Sequence, residues 1–180
     1  MIRGSLAEAG KAFAAARDAA MRSGNERDLS VSFNRIGDVQ VAQGDLPGAV
    51  KSFRDGLAIA DRLAKADPGN AGWQRDLSVS YERIGDVLSA QGNLPEALNS
   101  FRDGLAIAES LAKSDPSNTQ WQRDLIVSNV KLSEIDQTGT RSFLTRALET
   151  AQQMQRKGQL APRDLWMLDE LAKRIAALPK

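Results

Sequence analysis

The sequence predicts an all-α fold, a solenoid of stacked antiparallel helical hairpins with about seven helices, and three observations carry that prediction. The first is repetition. Arg27-Asp28-Leu29-Ser30-Val31-Ser32 returns as Arg75-Asp76-Leu77-Ser78-Val79-Ser80 and again as Arg123-Asp124-Leu125-Ile126-Val127-Ser128, a constant step of 48 in sequence number. Of the 41 positions from 27 to 67, 30 are identical one step later. A period of about 20–50 residues marks an array whose units bury their apolar faces only on one another. The second is periodicity: apolar residues recur at spacings of three and four, as on one face of a helix. The third is punctuation. Glycine, asparagine and proline fall between these stretches, and no strand-like alternation occurs.

The segment from Asn70 to Asp115 shows one whole unit. Trp73, Leu77, Tyr81, Ile84 and Leu88 form the stripe of its first helix. Gln91-Gly92 ends that helix, because glycine accepts the left-handed conformation just past a helix end. Asn93-Leu94-Pro95-Glu96 opens the second: Asn93 is a capping residue, Pro95 gives up an amide that would be unpaired anyway, and Glu96 suits the third position of a capping box. Ala97, Phe101, Leu105, Ala108 and Leu111/Ala112 carry the second stripe. Asp115-Pro116-Ser117-Asn118 breaks the chain, as Asp67-Pro68-Gly69-Asn70 does one repeat earlier.

The ends depart from this pattern. Residues 4–22 read as the second helix of a unit whose first helix is missing, linked to the next unit by eight residues fewer than the equivalent link later. An array opening on half a unit is expected of a segment cut from a longer protein, or of one to which Met1 was added. Residues 26–67 and 70–115 are full repeats, 118–157 a degenerate one, and 161–180 a capping helix. In the degenerate repeat Gly139-Thr140 interrupts the pattern and Arg141 to Lys157 forms a second helix without the glycines. The final helix begins at Pro162 and runs to about Leu178, with Leu165, Leu168, Leu171, Ile175 and Leu178 covering the last hairpin. Lys173, Arg174 and Lys180 suit its C-terminal end.

Composition excludes several function classes. With 24 Lys+Arg against 23 Asp+Glu the formal net charge is +1, which leaves no electrostatic footprint for nucleic acid or an anionic membrane. The chain has no cysteine and no histidine, so disulfides, thiol chemistry, the usual zinc sites and imidazole acid–base catalysis lack their residues. No apolar run reaches the roughly 18 residues that span a bilayer, and no signal peptide is visible. The expectation is a cytoplasmic protein without cofactor, metal or catalytic site.

Tyr81, Ile84-Gly85, Gly92, Ala97, Phe101 and Gly104 together resemble the signature of the tetratricopeptide repeat family, and Phe33, Ile36-Gly37, Gly44, Ala49, Phe53 and Gly56 repeat it. The third unit departs, with Asn129 in the aromatic slot and Ser133 in a glycine slot, so its hairpin is expected to pack less tightly. The resemblance covers roughly residues 4 to 157 and implies a right-handed solenoid. The family period is 34, and the 14 extra residues fall as seven in each helix. Each is thereby longer by about two turns, or about 10 Å. Trp73 and Trp121 lie in this extension, expected to pack on the lengthened second helix near Leu111. Taller hairpins imply a deeper or wider concave groove.

In this family the first helices line the concave face, which commonly takes peptides. Position by position that face carries Val31, Asn34, Asp38 and Val41, then Val79, Glu82, Asp86 and Ser89, then Val127, Val130, Glu134 and Gln137. The partner-binding candidates are Asn34, Asp38, Val41, Glu82, Asp86, Ser89, Val130 and Glu134. Asp38, Asp86 and Glu134 make an acidic ladder that would meet basic or polar groups of a protein or peptide. The competing reading is an i,i+3 charge pair with Arg35, Arg83 or Lys131, worth about 0.2–0.5 kcal/mol. Acidic rungs within a screening length of about 8–10 Å would repel a carboxylate, which argues against the family's carboxylate-clamp subtype.

The Arg-Asp neighbours at 27–28, 75–76, 123–124, 54–55 and 102–103 point about 100° apart on a helix, which suits ladders between hairpins better than a catalytic pair. Phe53, Phe101, Tyr81 and the tryptophans sit on apolar stripes with no basic excess, so they are core rather than base-stacking platforms. Gly37 and Gly85 belong to no phosphate-binding loop. The leading function is therefore a non-catalytic protein-interaction module. The rivals are self-assembly, as a homodimer through the N-terminal half-unit with Leu6 and Phe13, and a regulatory segment of a larger signalling protein. The latter draws on a resemblance to long-period arrays of bacterial signalling and defence proteins.

Overall fold

A computed structural model describes residues 2–179, the side chains from Ser5 onward; Met1 and Lys180 lie outside the described residues. Eight α-helices follow in order: α1 (Ile2–Ser23), α2 (Glu26–Gln43), α3 (Leu46–Ala66), α4 (Ala71–Ala90), α5 (Leu94–Ser114), α6 (Thr119–Ile135), α7 (Thr140–Arg156) and α8 (Trp166–Ala176). A 3₁₀ turn, Pro162–Asp164, precedes α8, and no strand occurs among the described residues. These helices are the lone helix, three hairpins and capping helix read from the sequence. The starts of α4 and α6, at 71 and 119, and of α3 and α5, at 46 and 94, keep the step in sequence number that separates the repeated blocks.

Helix ends are set by a few side chains. Asn25, Asp45, Asn70 and Asn118 each cap the helix that follows, accepting hydrogen bonds from backbone amides of the first turn. Gly44 (φ 80°) and Gly92 (φ 79°) end α2 and α4 in the left-handed conformation, and the amides of Asp45 and Asn93 then reach back to the carbonyls of Gln40 and Leu88. Glu96 accepts from Arg54 of α3 at 2.9 Å, an ion pair between helices beside its place in the first turn of α5.

The chain falls into two compact units, one ending at Ser100 and the other beginning at Phe101. In the first, α1 packs on α2, α2 on α3 and α3 on α4. Its core holds Ala49, Val50, Phe53, Ile59, Leu77 and Ile84, all buried. Small residues let these helices close up: a Cβ on Gly37 would come within 2.5–2.8 Å of the Phe53 ring. Ser30 donates to the Gly56 carbonyl at 3.0 Å across the same interface.

In the second unit α6 packs on α7 and α7 on α8. Ile126, Leu144, Ala147, Ala151, Met154, Leu160 and Leu171 form its core, with Leu168, Ile175 and Leu178 half-buried against them. Leu165 leaves this stripe. The 3₁₀ turn advances three residues per turn and rotates the chain before α8 begins, so Leu165 is exposed rather than covering the hairpin. Asn129 is 1% exposed. Its amide donates to the Leu125 carbonyl at 2.9 Å, while its own carbonyl oxygen is buried without a hydrogen-bond partner.

Two stability outcomes follow from this packing. Gly37→Ala lowers the melting temperature: the Phe53 ring must shift, an overpacking cost of about 1–3 kcal/mol against a helix-propensity gain of about 1 kcal/mol. Thermal denaturation of Gly37→Ala, Phe53→Leu and the double variant checks this, because the double loses less than the sum of the singles. Asn129→Leu raises the melting temperature, since it removes a desolvated carbonyl whose burial costs about 1–3 kcal/mol.

Candidate functional site

The first helices of the hairpins carry the candidate face, and the exposed valines on them, Val31 and Val41 on α2 and Val127 on α6, mark where that face meets solvent. On α2, Asn34 is turned into the packing. Its amide nitrogen is 3.5 Å from Ser80 Oγ, and its carbonyl oxygen is buried without a partner. Asp38 is ion-paired with Arg83 of α4 and lies 3.7 Å from Arg35 on its own helix. Val41 stands 41% exposed. On α4, Glu82 and Ser89 are half-buried and Asp86 is exposed.

Of these residues the fold brings three together. Asp38, Val41 and Asp86 line one depression of about 190 Å³ with Phe53, Arg83 and Val87. Its floor is apolar and its charges are two carboxylates and one guanidinium. Arg83 also sits 5.7 Å above the Phe53 ring, so one side chain ties α2, α3 and α4. Asn34, Glu82 and Ser89 do not line the depression.

In the second unit Val130 and Glu134 line a larger cleft of about 340 Å³ between α6 and α8. Arg174 of α8 is 3.5 Å from Glu134 and donates to Ser133 Oγ at 3.3 Å. Arg174 therefore stands to Glu134 as Arg83 stands to Asp38. The α8 wall of this cleft, with Trp166, Met167, Glu170 and Arg174, escaped the sequence reading. The signal was available in principle: Trp166, Glu170 and Arg174 follow one another at four-residue steps, hence on one helix face.

The Arg-Asp neighbours join helices rather than one another. Arg27 reaches Asp76 at 3.4 Å and lies 5.3 Å above the Trp73 ring. Arg123 reaches the buried Asp164 of the 3₁₀ turn at 2.7 Å. Arg102 bonds Asp136 at 2.8 Å, and Lys131 sits 5.7 Å above the Phe101 ring. A device that the sequence reading missed also repeats: Gln74 donates to the Ala64 carbonyl at 3.3 Å and Gln122 to the Ala112 carbonyl at 2.8 Å, closing helix ends at equivalent places in successive repeats.

Asp136 has the most perturbed environment of these carboxylates. It accepts from the Thr138 hydroxyl at 2.7 Å, from Arg102 at 2.8 Å and from the amides of Thr138 and Gly139 at 3.2 Å each. The Thr138 hydroxyl first, then Arg102, holds its pKa below the ordinary aspartate value. Among the described residues no cluster of three or more acidic side chains is arranged to hold a metal, and no helix is long and apolar enough to cross a membrane.

No family model and no curated protein matches the chain. Its fold does match solved structures. BtubC (BKLC) from P. vanneervenii superposes with a TM-score of 0.65 at 18% identity, covering 96% of this chain and 72% of that one. A substituted form of a putative kinesin light chain from Podosopora anserina, described as nearly identical TPR-like repeats, superposes with a TM-score of 0.55 at 16% identity, over 97% and 88%. The fold is that of TPR-like helical repeat proteins.

A low folded-state pKa means that the stabilisation from the Asp136 carboxylate is complete above the unfolded value of about 3.9 and is lost as pH falls below it. Asp136→Asn accordingly melts below the wild type at pH 7. The gap between the two narrows on acidification below about pH 4, which thermal melts across a pH series measure.

Proposed function

We propose, on the premise of this TPR-like repeat fold, that the chain is a non-catalytic, cytoplasmic protein-interaction module. On the first-helix faces the first unit offers Asp38, Val41, Glu82, Asp86 and Ser89 to a partner segment and the second unit offers Val130 and Glu134, while Asn34, drawn toward Ser80, stays in the packing. The observation that carries this reading is the depression in the first unit, where Asp38 and Asp86 flank an apolar floor of Val41, Phe53 and Val87. That combination suits a basic side chain, whose aliphatic stem lies on the floor while its head meets the carboxylates. Asp38 is committed in part to Arg83, so a partner cation shares it rather than replacing the guanidinium.

A second reading is self-association through α1, on which Met21 stands exposed. Leu6 and Phe13 on the same helix are half-buried. It predicts a mass that rises with concentration and falls with substitution of Met21 or Phe13.

Affinity capture from a lysate of the source cell, read by mass spectrometry, tests the leading reading. Reversing Asp38 to lysine sets a new cation beside Arg35 and Arg83, so the Asp38/Asp86/Glu134→Lys variant is informative only if its melting temperature is kept. Val41→Asp alters the same depression through an exposed side chain and leaves the ion pairs intact. A partner retained by wild type and lost from both variants supports the proposal. Equal retention by wild type and Val41→Asp would sink it.

A further inference from the structure

We infer that the cleft between α6 and α8 is a receptor for an arginine side chain that a partner protein presents next to an aliphatic residue. This rests on the reading of the chain as an interaction module and shares Val130 and Glu134 with it, while Asp38, Val41 and Asp86 take no part. Size comes first. At about 340 Å³ the cleft lies at the lower end of the roughly 300–1,000 Å³ that ligand sites occupy, which suits one or two side chains rather than a cofactor.

Its chemistry then selects the side chains. Val127, Val130 and Met167 provide an apolar wall, with Val127 left 44% exposed. Trp166 at its edge is 63% exposed, although the other apolar positions of α8 along the core are covered. Tryptophan, methionine and arginine are the residues that interfaces enrich, and the cleft holds one of each.

The charges at the rim are not equally available. Arg174 is taken up by Glu134 and Ser133, and Lys131 lies over the Phe101 ring. Glu170 is exposed and has no ion pair or hydrogen bond among the described residues. It follows Trp166 by four residues, so an open carboxylate and an open indole share one helix face. Indole is the most favourable ring for a cation. A guanidinium stacks flat on it and can fork to a carboxylate at the same time, whereas an ammonium supplies only a point charge. The aliphatic neighbour of that arginine would fill the valine–methionine wall. With Glu134 paired to Arg174, Glu170 is the carboxylate left open at the rim, and it favours a cation over an acidic side chain beside the indole.

The test uses the full chain and an arrayed library of random peptides, with binders resynthesised and titrated by fluorescence anisotropy. The expected binders carry arginine beside Leu, Ile, Val or Met. Trp166→Ala and Glu170→Lys, both at exposed positions and so keeping the wild-type melting temperature, each weaken them about tenfold. Arginine→alanine in the peptide does the same, and arginine→lysine weakens less. Binders that lack arginine, or that ignore both variants, overturn the inference. Binders lost only on Val41→Asp overturn it while leaving the first-unit depression standing, and a library without binders overturns both. A dimer by sedimentation equilibrium that Trp166→Ala dissolves makes a second copy the occupant, and overturns it too.

Discussion

The structure depends on a cation that reaches back from one first helix to a carboxylate on the first helix before it. Arg83 does this to Asp38, and Arg174 does it to Glu134. At the opposite end of the same helices Arg27 meets Asp76 and Arg123 meets Asp164. An amphipathic hairpin has no core of its own and must be covered by a neighbour, so what specifies the neighbour's register specifies the array. Energy and register come from different groups. In most of these pairs both side chains are about a third exposed or more than that, and such pairs contribute about 0–1 kcal/mol each. Burying one side chain like that of Phe53 is worth about 1.5–3 kcal/mol. The apolar stripes therefore supply the stability, while the charges select which turn of one helix lies beside which turn of the next.

That division explains what was legible in advance. Helix identity and hairpin pairing rest on period and punctuation, and Leu77, Ile84, Phe53 and Gly44 announce themselves by spacing alone. The cap residues Asn70 and Asn118 likewise follow from local chemistry. Side-chain partners from one repeat to the next do not, because a local pattern cannot say which of several carboxylates a guanidinium will meet. The sequence allowed Arg35 to Asp38 as an i,i+3 pair, and the fold adds Arg83 to the same carboxylate. Asn34, aligned with the half-buried Glu82 and Val130 of the later units, is drawn toward Ser80, and its carbonyl oxygen lies beside Gly56.

The last helix shows the same limit from the other side. Read as a polar cap, it has a stripe of leucines and a basic end. The fold makes it an abbreviated first helix: it packs on α7 as α4 packs on α3, and it keeps both inter-hairpin ion pairs through Asp164 and Arg174. The repeat had eroded too far for this to be visible as sequence identity. The erosion also explains the position of Leu165, since the 3₁₀ turn that brings Asp164 to Arg123 rotates the next residue out to solvent.

Because α8 stands where the next first helix would stand, the space beside α6 has the character of a groove between neighbouring first helices. The first-unit depression is bounded by α2 and α4 in the same way. The two sites differ in what the register-setting pairs leave over. Around Asp38 the register cation lies inside the depression, so a charge change at Asp38 or Arg83 disturbs the register as well. Around Trp166 the register pair is complete, and the groups turned to the cleft are an indole and a carboxylate that no contact of the fold requires. Stability of the array therefore places fewer constraints on Trp166 and Glu170 than on Asp38 and Arg83. Variation at Trp166 and Glu170 would therefore alter the cleft without first changing the fold.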